Sequence, residues 1–338
     1  MPLSTAFPIL IQQLAAAFDK HVEDSMAPSN DHGEQSDALI SGLASDIAQA
    51  CLSYVTQGIV QTAILIPPPG VPGTNPKKPP SGGRGVLPPN IAKVLTPHVG
   101  AGLGMIVDSD KIQQIASHLY GPFVDPPGNV LKIVTDQIET ALVKKRDAAI
   151  AGKESSVIIE DFSQEFTEAM STLGGKVYVL GAFVMLPCAT GPVVTPTGPT
   201  VGPAVFPTDL GVFVSFVPGF PPTGLVGLDA KKPALQAGIK GAYMTELSSG
   251  GSDGATPQQV NLELATLLGT AIHTFFVGTL VFTDSFHLGL IPALPLPSTI
   301  VPLPPPPRPA VPWPILAPFG NPALGPMGDA GHGIGITA

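Results

Sequence analysis

The chain has 338 residues, enough to bury a sizeable core and to divide into two or three domains. Charged residues make up only 12%, where soluble domains average about 25%, while Gly (38) and Pro (41) are abundant and apolar residues reach 44%. So few charges leave apolar surface to be covered by other chains or by lipid, and a net charge of -9 argues against nucleic acid as the main partner, because phosphate binding concentrates Lys and Arg.

The first segment, 1–36, reads as an N-terminal helix and a linker. Met1 to Phe18 is apolar, but it has no basic start and carries Gln12 and Gln13, so a signal peptide is not expected. A helix over Phe7–Glu23 is, with Pro8 in its first turn. Unit 37–106 begins with a helix whose apolar positions Leu39, Leu43, Ile47, Ala50 and Tyr54 follow helical spacing. A β-prone run, Ile59 to Ile66, comes next and ends at Pro67-Pro68-Pro69-Gly70. After a Pro/Gly/Lys loop the unit closes on Gly100-Ala101-Gly102-Leu103-Gly104-Met105-Ile106.

Residues 107–156 read as a helical connector, with helices over 109–118 and 130–151, the second carrying Leu131, Val134, Ile138 and Leu142 on one face. Unit 157–228 repeats the order more loosely: a helix over 161–173, a strand over 176–186, a loop over 187–222 with its own strand at 212–217, and Gly224-Leu225-Val226-Gly227 as the expected closing element. A linker, 229–255, leads to unit 256–338. Its helix opens at Thr256-Pro257-Gln258-Gln259 and passes into the apolar, β-prone run Phe275 to Phe282, then a Pro-rich arm, then Gly331-His332-Gly333-Ile334-Gly335-Ile336-Thr337. The pattern predicts an α+β chain of two or three tandem small helix-strand units with long Pro/Gly-rich extended loops, the units stacking because none carries a large core alone.

Motifs that would carry chemistry are missing. In Gly100-Ala101-Gly102-Leu103-Gly104 a dinucleotide fingerprint needs Gly at 105, where Met105 stands, so these glycines are expected to serve tight or left-handed backbone at a loop closure. Ser81-Gly82-Gly83-Arg84-Gly85 lacks the Gly-Lys-Ser/Thr of a phosphate loop. The seven histidines never pair at metal-ligand spacing, and His273, inside an apolar run, is expected to be a hydrogen-bonded core residue. Asp108-Ser109-Asp110 lacks the rest of a calcium loop and reads as a helix N-cap.

Glu160, Asp161, Glu165 and Glu168 read as acids favouring the positive end of a helix. Lys77-Lys78, Lys144-Lys145-Arg146 and Lys231-Lys232 read as solvated patches. Cys51 and Cys188 are expected as buried free thiols. No catalytic, cofactor-binding or metal-binding residue is assigned, no cofactor is expected, and the chain is not expected to be an enzyme; a site assembled from scattered residues stays open as an alternative.

The arm holds Pro302-Leu303-Pro304-Pro305-Pro306-Pro307-Arg308-Pro309, expected as polyproline II, and Trp313, the one tryptophan, between Pro312 and Pro314. It either docks on a neighbouring subunit or folds back on its own domain. Pro67, Pro68, Pro69, Pro305, Pro306, Arg308 and Trp313 are the candidate interaction residues, within loops 67–90, 187–209 and 292–318.

The recurring helix, strand, Pro/Gly loop and Gly-x-Gly-[Leu/Ile]-Gly closure resembles structural proteins of the tail, baseplate or neck of tailed-phage virions and related contractile injection machines. That resemblance implies a particle component acting as a homo-oligomer or against other particle proteins, assembled in the cytoplasm and found in a virion or other extracellular particle. The competing expectation is a membrane-associated or cell-surface protein anchored through 264–282, a run long enough to span a bilayer.

Overall fold

In the computed structural model the residues described are 2–26, 32–66, 98–108, 129–185, 188–195, 198–206, 209–215, 224–249, 256–287 and 328–338. They form, in chain order, α1 (Leu3–Ser25), α2 (His32–Val55), β1 (Ile59–Ile66), β2 (His98–Val107), α3 (Val130–Ile150), α4 (Ser155–Lys176), β3 (Tyr178–Met185), β4 (Cys188–Thr195), β5 (Gly198–Phe206), β6 (Asp209–Ser215), a 3-10 turn (Leu228–Lys231), α5 (Lys232–Ser249), α6 (Pro257–Phe276), β7 (Leu280–His287) and β8 (Gly328–Thr337).

The strands β1-β2-β3-β6-β7-β8 close into one antiparallel barrel, and β4 and β5 pair with each other as a separate ribbon between β3 and β6. The helices close as well. Each packs on its two neighbours in the cycle α1-α2-α3-α4-α5-α6, and α6 returns to α1. The chain thus writes the same order three times, a helical hairpin followed by two barrel strands, and the fold is α+β with tandem helix-strand units and long insertions between paired strands.

Helical periodicity accounts for the ring. Leu3, Leu10, Leu14 and Phe18 of α1, Val134, Ile138 and Leu142 of α3, and Leu235, Ile239 and Tyr243 of α5 bury one stripe each in a single core with Phe162, Phe166, Leu268, Ile272, Phe275 and Phe276. Polar seams close the ring outside that core. Lys20 pairs with Asp46 across α1–α2 at 2.7 Å, Arg146 with Asp37 across α3–α2 at 2.5 Å, and Lys144 with Glu165 across α3–α4 at 2.5 Å. Glu160 meets Lys240 across α4–α5, and Asn261 donates to Asp19 at 2.7 Å across α6–α1. The exposed ion pairs among these contribute about 0–1 kcal/mol each, so they set helix register more than stability.

The barrel stands on one end of the ring because the second helix of each hairpin runs into its strand through a short turn. At that junction Leu3 N–H donates to Ala338 O (2.6 Å), Ala338 N–H to Ile59 O (2.9 Å), Ile106 N–H to Gly58 O (3.0 Å) and Gly278 N–H to Thr337 O (3.0 Å). Lys231 Nζ donates to the carbonyls of Phe275 (3.2 Å) and Val277 (2.6 Å) and to Thr279 Oγ1 (3.2 Å), satisfying acceptors that the end of α6 leaves open.

Several expectations from the sequence are corrected. The two glycine clusters are barrel strands, β2 and β8; the glycines with positive φ among the described residues are Gly152, Gly227 and Gly278. A barrel narrower than eight strands has little interior room, so glycine is placed inside for its size. At Gly335 an added Cβ would lie 2.8 Å from Val60 Cγ1.

The middle unit closes on β6, not on Gly224–Gly227. That stretch instead threads under α4, with Leu225 N–H on Gly174 O at 2.8 Å, and a Cβ on Gly224 would sit 2.3 Å from the carbonyls of Gly174 and Val177. Within the expected loop 187–209, Cys188–Thr195 and Gly198–Phe206 are strands. β4–β5 accommodates Pro192 opposite Pro203 because a two-stranded ribbon has free edges where the missing N–H faces outward.

Segment 229–255, expected as a linker, supplies the ring helix α5, whose glycines Gly238 and Gly241 weaken the helical signal in the sequence. Likewise 107–156, expected as a connector, supplies α3 with a full place in the ring, while its expected helix over 109–118 lies outside the described residues. Pro8 lies inside α1, beyond its first turn, because the helix starts at Leu3. Phe275 and Phe276 end α6 rather than begin a strand: their rings are buried in the core, and Gly278, at φ 67°, makes the turn into β7. The run 264–282 is therefore divided between a helix and a strand.

Among the described residues one helical stretch, Gln35–Val55 in α2, has the length and hydropathy of a membrane span, and 56% of its most apolar stretch is buried in the ring.

Candidate functional site

The barrel wall is the feature that stands out from the residues upward. Strand alternation puts Val60, Thr62, Gly104, Ile106, Val179, Val281, Thr283, Gly335 and Thr337 inside, all buried. The interior hydroxyls are partnered: Thr62 Oγ1 lies 3.2 Å from Thr283 Oγ1, and Thr337 Oγ1 donates to Phe276 O at 2.6 Å. The alternate positions face out; Gln61 is among them, and five others are large and apolar. Leu103 is 62% exposed, Met105 54%, Leu280 44%, Ile336 44% and Phe282 37%.

Register makes these residues neighbours. Leu280 pairs with Ile336, Ile336 with Gln61, and Gln61 with Leu103, so one row crosses four adjacent strands, β7-β8-β1-β2. Met105 opposite Ile59 extends it toward the helices. Gln61 is the only polar side chain in the row, and none is charged. Exposed apolar surface of this kind makes the row a candidate contact site. Sequence reasoning missed it, although the signal is visible in Gly-Leu-Gly-Met and Gly-Ile-Gly-Ile, where glycine alternates with a large apolar residue.

Ionisable groups inside the ring hold structure. His273 stacks on Phe7 (centroids 4.6 Å apart), and its Nδ1 lies 2.5 Å from the Tyr54 hydroxyl. Burial lowers the His273 pKa and raises that of Tyr54, so both stay neutral and the imidazole nitrogen accepts a hydrogen bond from the phenol O–H. His273 is hydrogen-bonded as expected, but it is half-buried rather than a core residue.

Lys145 is a correction to the solvated-patch reading. Its Nζ lies 4.1 Å from the Tyr243 ring centroid and 5.1 Å from that of Phe162. Burial lowers its pKa and raises that of Glu246, while the attraction between the two opposes both shifts. The aromatic faces stabilise the ammonium. Lys231 and Lys232 also hold specific partners, Lys232 reaching Glu168 at 2.8 Å and Asp229 at 2.9 Å; Lys77-Lys78 lies outside the described residues. Glu160, Glu165 and Glu168 serve as inter-helix partners in the body of α4.

Cys51 is fully buried, and desolvation pushes its thiol up to about 12, which keeps it protonated and a poor nucleophile at neutral pH. Cys188 begins β4. Among the described residues no group of three or more His, Cys, Asp or Glu side chains could hold a metal ion.

Grooves run along the three helical hairpins, those of α1–α2 and α3–α4 lined by charged residues such as Lys20, Asp46, Lys144 and Glu165. The one between α5 and α6, about 540 Å³, is lined by Leu235, Gly238, Leu267, Ala271 and Phe275 and carries no pair of acid and base poised for catalysis. The candidate interaction residues Pro67, Pro68, Pro69, Pro305, Pro306, Arg308 and Trp313 lie outside the described residues. The strands bracketing them are placed, however. Ile66 pairs with His98, and His287 with Gly328, at the barrel rim away from the helices, so segments 67–97 and 288–327 both leave from that rim, as the β4–β5 ribbon does.

No family model, curated protein or solved structure matches the chain.

Proposed function

We propose that the chain is a structural subunit of a multi-protein particle, acting through self-assembly and contacts with other particle proteins. The observation that carries this reading is the uncharged apolar row Leu280, Ile336, Leu103 and Met105 on the outside of the barrel, which needs a protein partner to leave water. Low overall charge supports it, as does the departure of the Pro-rich segments from a single rim, where contacts with partners concentrate. The resemblance of the repeated helix, strand, Pro/Gly loop and glycine closure makes a tail, baseplate or neck component of a phage virion or contractile injection machine the proposed setting. Its place is then the virion or another extracellular particle, after assembly in the cytoplasm.

Light scattering of the purified full chain tests the reading. A defined oligomer at micromolar concentration, soluble without detergent, is the expected outcome. A stable monomer that stays monomeric at high concentration overturns it.

A further inference from the structure

We infer that Lys145 is a reversible covalent ligand site, its amine taking an uncharged aldehyde as a Schiff base in the groove between α3 and α4. Lys145 projects from α3 and is half-buried. Its Nζ lies over two rings supplied by other helices, 4.1 Å from the Tyr243 centroid on α5 and 5.1 Å from the Phe162 centroid on α4. Among the described residues no acceptor holds that nitrogen by a hydrogen bond or a close ion pair. The groove, about 480 Å³, is lined by both Lys145 and Phe162, so a molecule seated there meets the amine. Its size falls within the roughly 300–1,000 Å³ of small-molecule sites.

The surroundings suit an iminium better than an ammonium. An ammonium carries three N–H donors, and aromatic faces stabilise its charge without accepting them as a carbonyl would. A Schiff base keeps the positive charge over the rings and has one N–H left to satisfy. Nζ attacks the carbonyl carbon, the C–N bond forms, and the carbonyl oxygen leaves as water with two of the ammonium's protons. Ammonium and aldehyde thus give iminium and water with the charge unchanged. Attack needs the free amine, and burial favours it by lowering the Lys145 pKa. Glu246, raised by its own burial and near enough for the two charges to interact, can carry a proton from Nζ to the departing hydroxyl.

Burial alone does not make such a site. Lys231 also has its pKa lowered by burial, but its Nζ holds Phe275 O, Val277 O and Thr279 Oγ1, and an iminium there would give up those bonds. The groove also sets the class of ligand. Its charges balance, Lys144, Lys145 and Lys153 against Asp147, Asp161 and Glu165, so it selects neither an anion nor a cation. Ala141, Ala148, Ile158 and Phe162 give it apolar surface beside the amine, which fits an aldehyde with an aromatic or aliphatic body.

The experiment treats the full chain near neutral pH with benzaldehyde and sodium cyanoborohydride, whose hydride reduces the iminium to a stable benzylamine, and reads each lysine by peptide mass. Lys145 is expected to react roughly tenfold or more faster than the exposed Lys153 and than Lys231. Formaldehyde, which has no body to seat in the groove, is expected to discriminate less between Lys145 and Lys153. In Lys145→Arg the fast reaction should disappear with circular dichroism unchanged. If that variant does not fold, the rates in the unaltered chain decide. Reaction at Lys145 no faster than at Lys153 overturns the inference. Equal discrimination by the two aldehydes overturns it as well, since that is a reactive amine without a ligand site. The inference stands apart from the assembly reading, which light scattering tests separately.

Discussion

Gly335 on β8 lies against Val60 on β1 so closely that a methyl group on Gly335 would come within 2.8 Å of Val60 Cγ1 and 3.1 Å of Gln61 O. The backbone oxygen cannot give way as a flexible side chain would. Gly335→Ala should therefore destabilise the protein by about 1–3 kcal/mol, the usual cost of overpacking. Gly241, in α5 with open space around it, is the control, and Gly241→Ala should stabilise by about 0.5–1 kcal/mol through helix propensity. Thermal or urea unfolding followed by circular dichroism reads both, and equal effects at the two sites would contradict a crowded barrel interior.

Lys231 ties the 3-10 turn to the end of α6 and the start of β7 through three acceptors. Lys231→Met keeps the stem and removes the donors; Phe275 O keeps its bond from Thr279 Oγ1, while Val277 O loses Lys231. A loss of about 1–3 kcal/mol is expected, the cost of an unsatisfied acceptor in a partly buried place. Hydrogen exchange should speed up at Val226, whose N–H bonds to Leu280 O beside this junction, before it does so in α3.

His273 makes stability pH-dependent in a known direction. Burial lowers its folded pKa below 6.5, so the unfolded state binds more protons between those two values, and stability rises with pH across that window. The contribution is fully present above about pH 6.5 and is lost as pH falls through the folded value. His21, lowered mainly by burial, acts in the same sense. Glu246, raised mainly by burial, loses stability as pH rises from 4.5 through its folded value. His273→Gln retains an acceptor for the Tyr54 hydroxyl and does not titrate. Its melting temperature should fall less than that of the unaltered protein between pH 7.5 and about pH 5.5.

Cys51 should be silent to thiol reagents in the folded state, being fully buried with its thiol held protonated. In a Cys188→Ser chain, labelling of Cys51 should follow global unfolding and rise with urea along the same curve as circular dichroism. Rapid labelling without denaturant would mean that α2 separates from the ring on its own.

How much of this was legible in the sequence differs by element. Spacing in α2 and α3 reads directly, because Ile47, Val134 and Ile138 fall on one face of a 3.6-residue period and become the core stripe. The recurrence of helix, strand, proline-rich insertion and glycine closure was also visible, as were β1, β3 and the hydrogen bonding of His273. Local pattern failed where distant residues decide. Gly104 and Gly335 look like turn glycines until barrel closure brings other strands against them, and α5 looks like a linker because Gly238 meets Ala271 of α6 rather than following an apolar repeat. Lys145 reads as surface charge until Phe162 and Tyr243 arrive from other helices.

The sequence by itself determined the α+β class, the helical faces, the tandem units and the poverty of charge, all of which depend on residues near one another along the chain. Closure was decided only in three dimensions. Whether six strands meet as a barrel and six helices as a ring depends on register between segments far apart along the chain, as when Gln61 pairs with both Leu103 and Ile336. That register gathers Leu103, Met105, Leu280 and Ile336 on one outer wall, since alternation assigns a side chain to a face but only barrel closure says which face is water.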